Sequence, residues 1–424
     1  MSQPLRPNLT SEEAALVGLL SRGRLSRRSV LSGAGALGVG AFLTACGTAA
    51  PNSSGGASGN AKPAAAADRS STEKVVNWAN WTQYLDYDET TKAYPTLQDF
   101  QKLTGIKASY YEEIDDNASY YAKIQAQLHQ GKDIQRDIIV MTDWMAARLI
   151  NEGLVQKLDK SQIPNAKNIR PTLANVAFDQ GRNFSLTWQS GYTGIGYNVQ
   201  KLKQLGITPP KTIDDLWQPA LKNRVMVLSE MRDTIGLIML QQGKKPESFT
   251  ADDFNNALSV LEKQLNNGQI RQVVGNKYVE AMKSGDALVV LCWSGDISQV
   301  NADLAAKQKA DQFEFVKPES GGMLWSDNLM IPVGSPHKQN AELLMNYYYD
   351  PKVAAKVAAW VNYICPVQGA QVEMAKIPGI DKTLVDNPLI FPTDDYLKDF
   401  HMIRPLTPKE ETDFTASFQK VLGL

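Results

Sequence analysis

Cysteine and histidine are scarce. Three of each occur in 424 residues, at Cys46, Cys292 and Cys365 and at His129, His337 and His401. No Cys-x-x-Cys or His-Glu-x-x-His spacing brings them together, so no metal site and no cofactor is expected. Neither a Gly-x-Ser-x-Gly elbow nor a Ser–His–acid arrangement is present to support nucleophilic catalysis. Charge is not in excess either. The formal net charge is -1 and no Lys/Arg run interleaves with aromatics, which argues against nucleic acid as a partner. There is no comfortable transmembrane helix, no internal repeat and no coiled-coil heptad. What remains is ordinary for a soluble globular protein, 43% hydrophobic and 21% charged, and long enough for two domains with full cores.

The N-terminus reads as an address. Ser26-Arg27-Arg28-Ser29-Val30-Leu31 begins a twin-arginine-like signal, a Gly-rich apolar run follows, and Leu43-Thr44-Ala45-Cys46 forms a lipoprotein cleavage box. Residues 1–45 are therefore expected to be a signal peptide, with Cys46 the lipid-modified first residue of the mature chain. Export by the twin-arginine route or by general secretion both stay open, because Val30 and Ser32 depart from the usual pattern. Removing residues 1–45 takes away five Arg and two Glu, leaving a mature net charge of -4. Residues 47–73 are rich in Gly, Ala, Ser, Asn and Pro, so 46–73 is expected to be a lipidated Cys and a flexible linker reaching roughly 30 Å. Two or more acyl chains on Cys46 would make the anchorage stable. Cys292 and Cys365 lie in apolar runs and read as buried free thiols, although an exported protein permits a disulfide.

From Val75 onward strand and helix patterns alternate. Val75–Trp78, Ile106–Ile114 and Asp137–Val140 read as strands, with helices carrying Leu97/Phe100/Leu103, Tyr121/Ile124/Leu128 and Trp144/Leu149 between and after them. A second run has strands at Thr193–Tyr197, Arg224–Leu228, Ala287–Trp293 and Phe313–Val316. Its helix is capped by Thr250 and presents Phe254, Leu258, Leu261 and Leu265. Two apolar helices, Ala341–Tyr349 and Val353–Val361, are broken by Asp350-Pro351. The alternation predicts an α/β fold with a largely parallel sheet.

Candidate ligand residues collect just after strands, the binding edge of such sheets. Trp81 and Tyr84 follow the first strand, Asp143 and Trp144 the third, Glu230 and Asp233 the Arg224–Leu228 strand, and Trp293 closes Ala287–Leu291. In Gly321–Asn328 strand alternation turns Trp325 and Asp327 to one side. An aromatic face beside a carboxylate suits a cation with an apolar body. Taken singly, each pair is equally a core Trp beside a helix-capping Asp.

Four landmarks then carry a resemblance: Asn80-Trp81-Thr82-Gln83-Tyr84, Glu152–Asp159, Thr193–Asn198 and Gly321-Gly322 with Trp325–Leu329. On them the chain resembles the bacterial spermidine/putrescine-type polyamine-binding proteins, extracellular receptors of ABC transporters, over essentially residues 74–424. The resemblance implies a two-lobed periplasmic-binding-protein fold of type II-like α/β architecture, with the ligand cleft between lobes and hinge crossings near Ser190, Ser326 and Tyr363. Lobe 1 would comprise 74–190 plus 326–362, and lobe 2 would comprise 191–325 plus 363–424. It further implies Trp81, Thr82, Tyr84, Thr142, Trp144, Trp293, Trp325 and Tyr363 as walls, with Asp143 beside them, and Glu230, Asp233 and Asp327 as carboxylates for ammonium groups. Glu230 preceding Asp233, and the Asp143-Trp144 pair, depart from the family pattern.

The implied protein binds a polyamine rather than transforming one. It is monomeric, lipid-anchored on the outer face of the cytoplasmic membrane, and passes its ligand to a permease and its ATPase. Another cationic or zwitterionic ligand, such as an amino-acid derivative or a thiamine-like compound, is the alternative. An anchored hydrolase using Glu230, Asp233 or Asp327 as acid and base is the rival from another class.

Overall fold

The computed structural model describes residues 62–309 and 312–423. The signal segment, Cys46 and the linker up to residue 61 lie outside the described residues.

The first half begins with β1 (Val75–Trp81), α1 (Pro95–Thr104), β2 (Lys107–Ile114), α2 (Asn117–His129), β3 (Ile138–Thr142) and α3 (Asp143–Glu152). β1 pairs in parallel with both β2 and β3. The buried run Ile138–Met141 makes β3 a core strand, and Gly153, at φ 73, ends α3 in the left-handed conformation that glycine adopts freely. A long strand, β4 (Leu186–Asn198), follows and is buried throughout.

The second half contains β5 (Val225–Leu228), α4 (Met231–Gln241), α5 (Ala251–Asn266), β6 (Ile270–Val274), β7 (Val289–Trp293), α6 (Ser294–Ala306) and β8 (Phe313–Val316). β5 pairs in parallel with β6 and β7. Thr250 closes a full capping box at the start of α5. The chain then returns along β9 (Gly322–Met330) and forms α7 (Lys338–Tyr348) and α8 (Pro351–Val361). A short β10 (Phe400–His401) and α9 (Pro408–Leu422) follow. Asp350 caps α8 through Lys352 N, and Pro351 occupies its first turn.

The sheet is mixed rather than largely parallel. β4 and β9 run antiparallel to each other through its middle, β9 is antiparallel to β3, and β4 is antiparallel to β7 and β8. The sequence pattern marked only Thr193–Tyr197 as strand, because Leu186–Ser190 carries polar side chains at buried positions. Those two long strands divide the molecule. Leu186–Ser190 and Ser326–Met330 belong with β1–β3, whereas Thr193–Tyr197 and Gly322–Leu324 belong with β5–β8. The two parts meet where Ser190 Oγ lies 2.7 Å from Ser326 Oγ, and Ser190 also exchanges backbone hydrogen bonds with Ile364. The fold is α/β and two-lobed.

One expectation needs correcting. Residues 62–73 are not a free tether. Ala66 N donates to Val333 O at 2.9 Å and Arg69 N to Pro336 O at 2.7 Å. Buried Ser70 Oγ accepts from Asn340 N, and Glu73 meets His337 Nε2 at 2.9 Å. The docking uses backbone groups and short polar side chains, so it leaves no hydrophobic periodicity to read. Cys292 and Cys365 are buried free thiols.

Candidate functional site

A cavity of about 1390 Å³ lies between the lobes. All twelve residues named from the sequence line it, namely Trp81, Thr82, Tyr84, Thr142, Asp143, Trp144, Glu230, Asp233, Trp293, Trp325, Asp327 and Tyr363. The topology explains the convergence. β1 and β3 end at the cleft from one lobe, β5 and β7 end at it from the other, and the crossing strand β9 delivers Trp325 and Asp327 between them.

Five rings form a continuous wall. Trp81 meets Trp293 at 5.9 Å across the lobes, and Trp293 meets Trp325 at 6.2 Å. Trp325 meets Tyr363 at 5.6 Å, and Tyr363 meets Tyr84 at 5.2 Å. Their polar edges are anchored, as buried indole and phenol groups require. Trp81 Nε1 donates to Val140 O, Trp325 Nε1 to Thr193 Oγ1, and Trp293 Nε1 to Asp233 Oδ2. Two glycines make room for this wall. A Cβ on Gly191 would lie 2.5 Å from the Trp325 ring, and one on Gly295 would lie 2.5 Å from Tyr363. Thr82 stands exposed at the rim.

Carboxylates line the cleft beside this wall. Asp327 is 3% exposed; its oxygens accept from Tyr84 OH at 3.0 Å and Thr142 Oγ1 at 2.7 Å. Asp233 accepts from Thr193 Oγ1 and Trp293 Nε1, both at 2.9 Å. Glu230, from the same half as Asp233, accepts from Asn117 N and Nδ2 of the other half at 3.1 and 2.9 Å. Among the described residues no Lys, Arg or His forms an ion pair with any of the three. Burial therefore dominates their titration. It pushes Asp327 up to about 7 and Asp233 up to about 6, with the hydrogen bonds pulling part of the way back. Burial raises Glu230 as well, helped by the negative charge of Asp116.

Two of the named residues that line the cavity are also engaged by other side chains of the protein. Asp143 accepts from Asn328 Nδ2 at 2.8 Å, and Asn328 Oδ1 accepts from Arg182 at 2.8 Å, so Asp143 is linked through Asn328 to a buried arginine. Burial still pushes Asp143 up to about 6. Nor does it cap α3, whose N-cap is Thr142 without a side-chain hydrogen bond. Trp144 is covered on one face by Arg232, whose guanidinium carbon lies 3.9 Å from the ring centroid.

The sequence reading overlooked several residues of this site. Asp296 lines the cavity three residues after Trp293, accepts from Tyr363 OH at 2.6 Å and Tyr278 OH at 2.5 Å, and is held above its ordinary value by burial. Its place directly after β7 was the same strand-end signal that singled out Asp143 and Asp233. Thr193, Asn117, Arg232 and Glu411 act through contacts that no local pattern announces.

The family pattern of bacterial extracellular solute-binding proteins matches residues 95–388. The chain is 28% identical to the spermidine/putrescine-binding periplasmic protein 1 of Haemophilus influenzae over 363 residues, which is 86% of this chain and 90% of that protein. It is 27% identical to the putrescine-binding periplasmic protein of Escherichia coli, over 82% of this chain and 91% of that one. Among solved structures, the spermidine/putrescine ABC transporter substrate-binding protein of Streptococcus pneumoniae superposes with a TM-score of 0.63 at 24% identity. That alignment covers 82% of this chain and 98% of the other, a likeness of fold.

Proposed function

The chain belongs to the bacterial extracellular solute-binding proteins, and from that premise we propose that it captures a polyamine of the spermidine/putrescine class outside the cytoplasmic membrane and delivers it to an ABC transporter. The observation that carries this reading is Asp327, Asp233 and Asp296 buried beside one aromatic wall, none of them ion-paired to a protein cation among the described residues. Removing three carboxylates from water without a counter-charge is costly. Ammonium groups at Asp327 and Asp233 remove that cost at those two acids, while methylenes lie on the Trp and Tyr faces. The relatives' names agree with such a ligand. Binding rather than turnover is the reading that membership of a solute-binding family supports.

In this reading 74–190 with 326–362, and 191–325 with 363–424, are the lobes that close on ligand. Ser190, Ser326 and Tyr363–Ile364 mark the three crossings of a hinge. Cys46 carries the lipid anchor, and the protein works as a monomer on a permease and its ATPase. Arg232 in the cavity favours one second reading, a zwitterion whose carboxylate meets that guanidinium. A thermal-shift screen with putrescine, spermidine, spermine, basic amino acids and thiamine tests both, since bound ligand raises the melting temperature by mass action. The polyamine reading requires polyamines to give the largest shift. It is wrong if none of the three shifts the protein.

A further inference from the structure

We propose that Arg232 is a specificity-determining residue, a built-in cation that fills one of three aromatic–carboxylate positions in the cleft and so restricts the ligand to two ammonium groups. The inference rests on the polyamine reading above and deepens it.

The cleft presents three places where a ring and an acid stand together. One is Asp327 with Trp325 and Tyr84, the second is Asp233 with Trp293, and the third is the end of the cavity lined by Glu230 and Trp144, which Arg232 links by lying over the ring and within electrostatic reach of the acid. The third is already occupied. Arg232 lines the cavity, two residues beyond Glu230, and its guanidinium carbon sits 3.9 Å over the Trp144 ring, the distance of a direct cation–π contact. Glu411 on α9 fixes it there, accepting from Arg232 Nη2 at 2.5 Å, and the Arg232 side chain is 14% exposed. Glu230 in turn spends Oε1 on Asn117 N and Nδ2 across the cleft. A ligand ammonium arriving at this end finds the ring covered, one carboxylate oxygen taken by two donors, and a fixed positive charge beside it.

Asp296 does not offer a replacement position. Its oxygens already accept from Tyr363 OH, Tyr278 OH and Asn276 Nδ2 at 2.6, 2.5 and 3.2 Å. Two positions remain, at Asp327 and Asp233, and both are reached from the Trp81–Trp293–Trp325 wall. Glu411 is a positioning residue: it touches Arg232 and holds it on Trp144.

Isothermal titration with putrescine and spermidine tests this on the wild type, Arg232→Met, Arg232→Lys and the double variant Arg232→Met/Glu411→Gln. Met keeps an apolar stem on Trp144 without the charge. The double variant also removes the acid that Arg232→Met leaves unpaired. The wild type should bind the diamine at least tenfold more tightly than the triamine. Arg232→Met and the double variant should each shift that ratio toward spermidine by tenfold or more, and Arg232→Lys should keep it within threefold. A ratio unchanged within threefold in both Met variants overturns the inference, as does a wild type that prefers spermidine. A shift seen in Arg232→Met and lost in the double variant also overturns it, because the effect is then net charge at the mouth rather than release of Trp144. A wild type that binds neither amine refutes the polyamine reading itself, a separate result from an unmoved ratio. Melting temperatures of all four proteins establish that each is folded.

Discussion

Replacing Asp327 by Asn separates the ligand role of this acid from a structural one. Asn keeps the shape and one acceptor oxygen. Its amide can donate to either the Tyr84 or the Thr142 hydroxyl, since each can reverse its hydrogen bond. The fold should therefore survive. What is lost is the charge facing a desolvated ammonium. Removing one partner of such a pair costs about 2–5 kcal/mol, roughly 30- to 4,000-fold in affinity.

The unliganded protein should respond in the opposite direction. Asp327 titrates at about 7 in the folded chain against 3.8 for an ordinary aspartate. A carboxyl whose folded value is raised binds more protons folded than unfolded between pH 3.8 and 7, so stability falls across that window and the whole loss stands above it. At 1.36 kcal/mol per unit the loss is on the order of 4 kcal/mol, which Asn removes. Asp327→Asn should thus melt at or above the wild type at pH 8 while binding its best polyamine at least 30-fold more weakly. Affinity within threefold of wild type, or a lowered melting temperature with affinity kept, refutes the reasoning.

Binding should also be linked to protons, because an ammonium stabilises the charged acids. Polyamine affinity of the wild type should rise from pH 5 to pH 8 as Asp233 and Asp327 ionise at about 6 and about 7, with proton release measurable by titration in buffers of different ionisation enthalpy. Flat affinity across this range contradicts it. A chain beginning at Lys74 loses the Ala66, Arg69, Ser70 and Glu73 contacts and should melt several degrees lower, at roughly 2 °C per kcal/mol, with ligand affinity kept within threefold; an unchanged melting temperature counts against the docking. Gly295→Ala places a methyl against the Tyr363 ring, and overpacking of about 1–3 kcal/mol should weaken binding roughly tenfold by titration, whereas wild-type affinity would mean the ring yields freely. Cys46→Ala should leave the protein soluble after cell fractionation, and a variant still membrane-bound after a high-salt wash is inconsistent with a lipid on Cys46.

Much of the cavity lining was legible because the strands of both halves end at the cleft. Trp81, Glu230, Asp233 and Trp293 each follow a buried apolar run, and the strand-end rule needs nothing beyond local sequence. Trp325 and Asp327 were readable by alternation alone. Asp296 obeys the same rule but sits inside the first turn of α6, where Ser294-Gly295-Asp296 looks like an ordinary helix start. The true extent of β4 was hidden by its polar residues. Gln189 and Ser190 are buried at the crossing, where their partners come from β9 and Ile364 rather than from a hydrophobic layer. Arg232 was invisible for another reason: its role depends on Trp144 and Glu411, which the chain places 88 residues before it and 179 residues after it.

The lobes touch across the cleft through contacts that need no ligand. Trp81 lies on Trp293, Asn117 holds Glu230, Gln299 donates to the carbonyls of Gln83 and Val361, and Arg232 covers Trp144. Against them stands the burial of Asp233, Asp296 and Asp327 in one apolar enclosure, which favours opening or protonation. A neutral molecule in the cavity adds contacts but leaves those charges unbalanced. A diamine supplies the missing charge at two of the three acids while leaving the protein's own contacts intact. On the proposed reading the ligand's differential affinity for a closed form is mostly electrostatic, and only such a difference can shift a conformational equilibrium. Selectivity for cations and closure of the cleft then have a single physical origin, and a variant that weakens one should weaken the other in proportion.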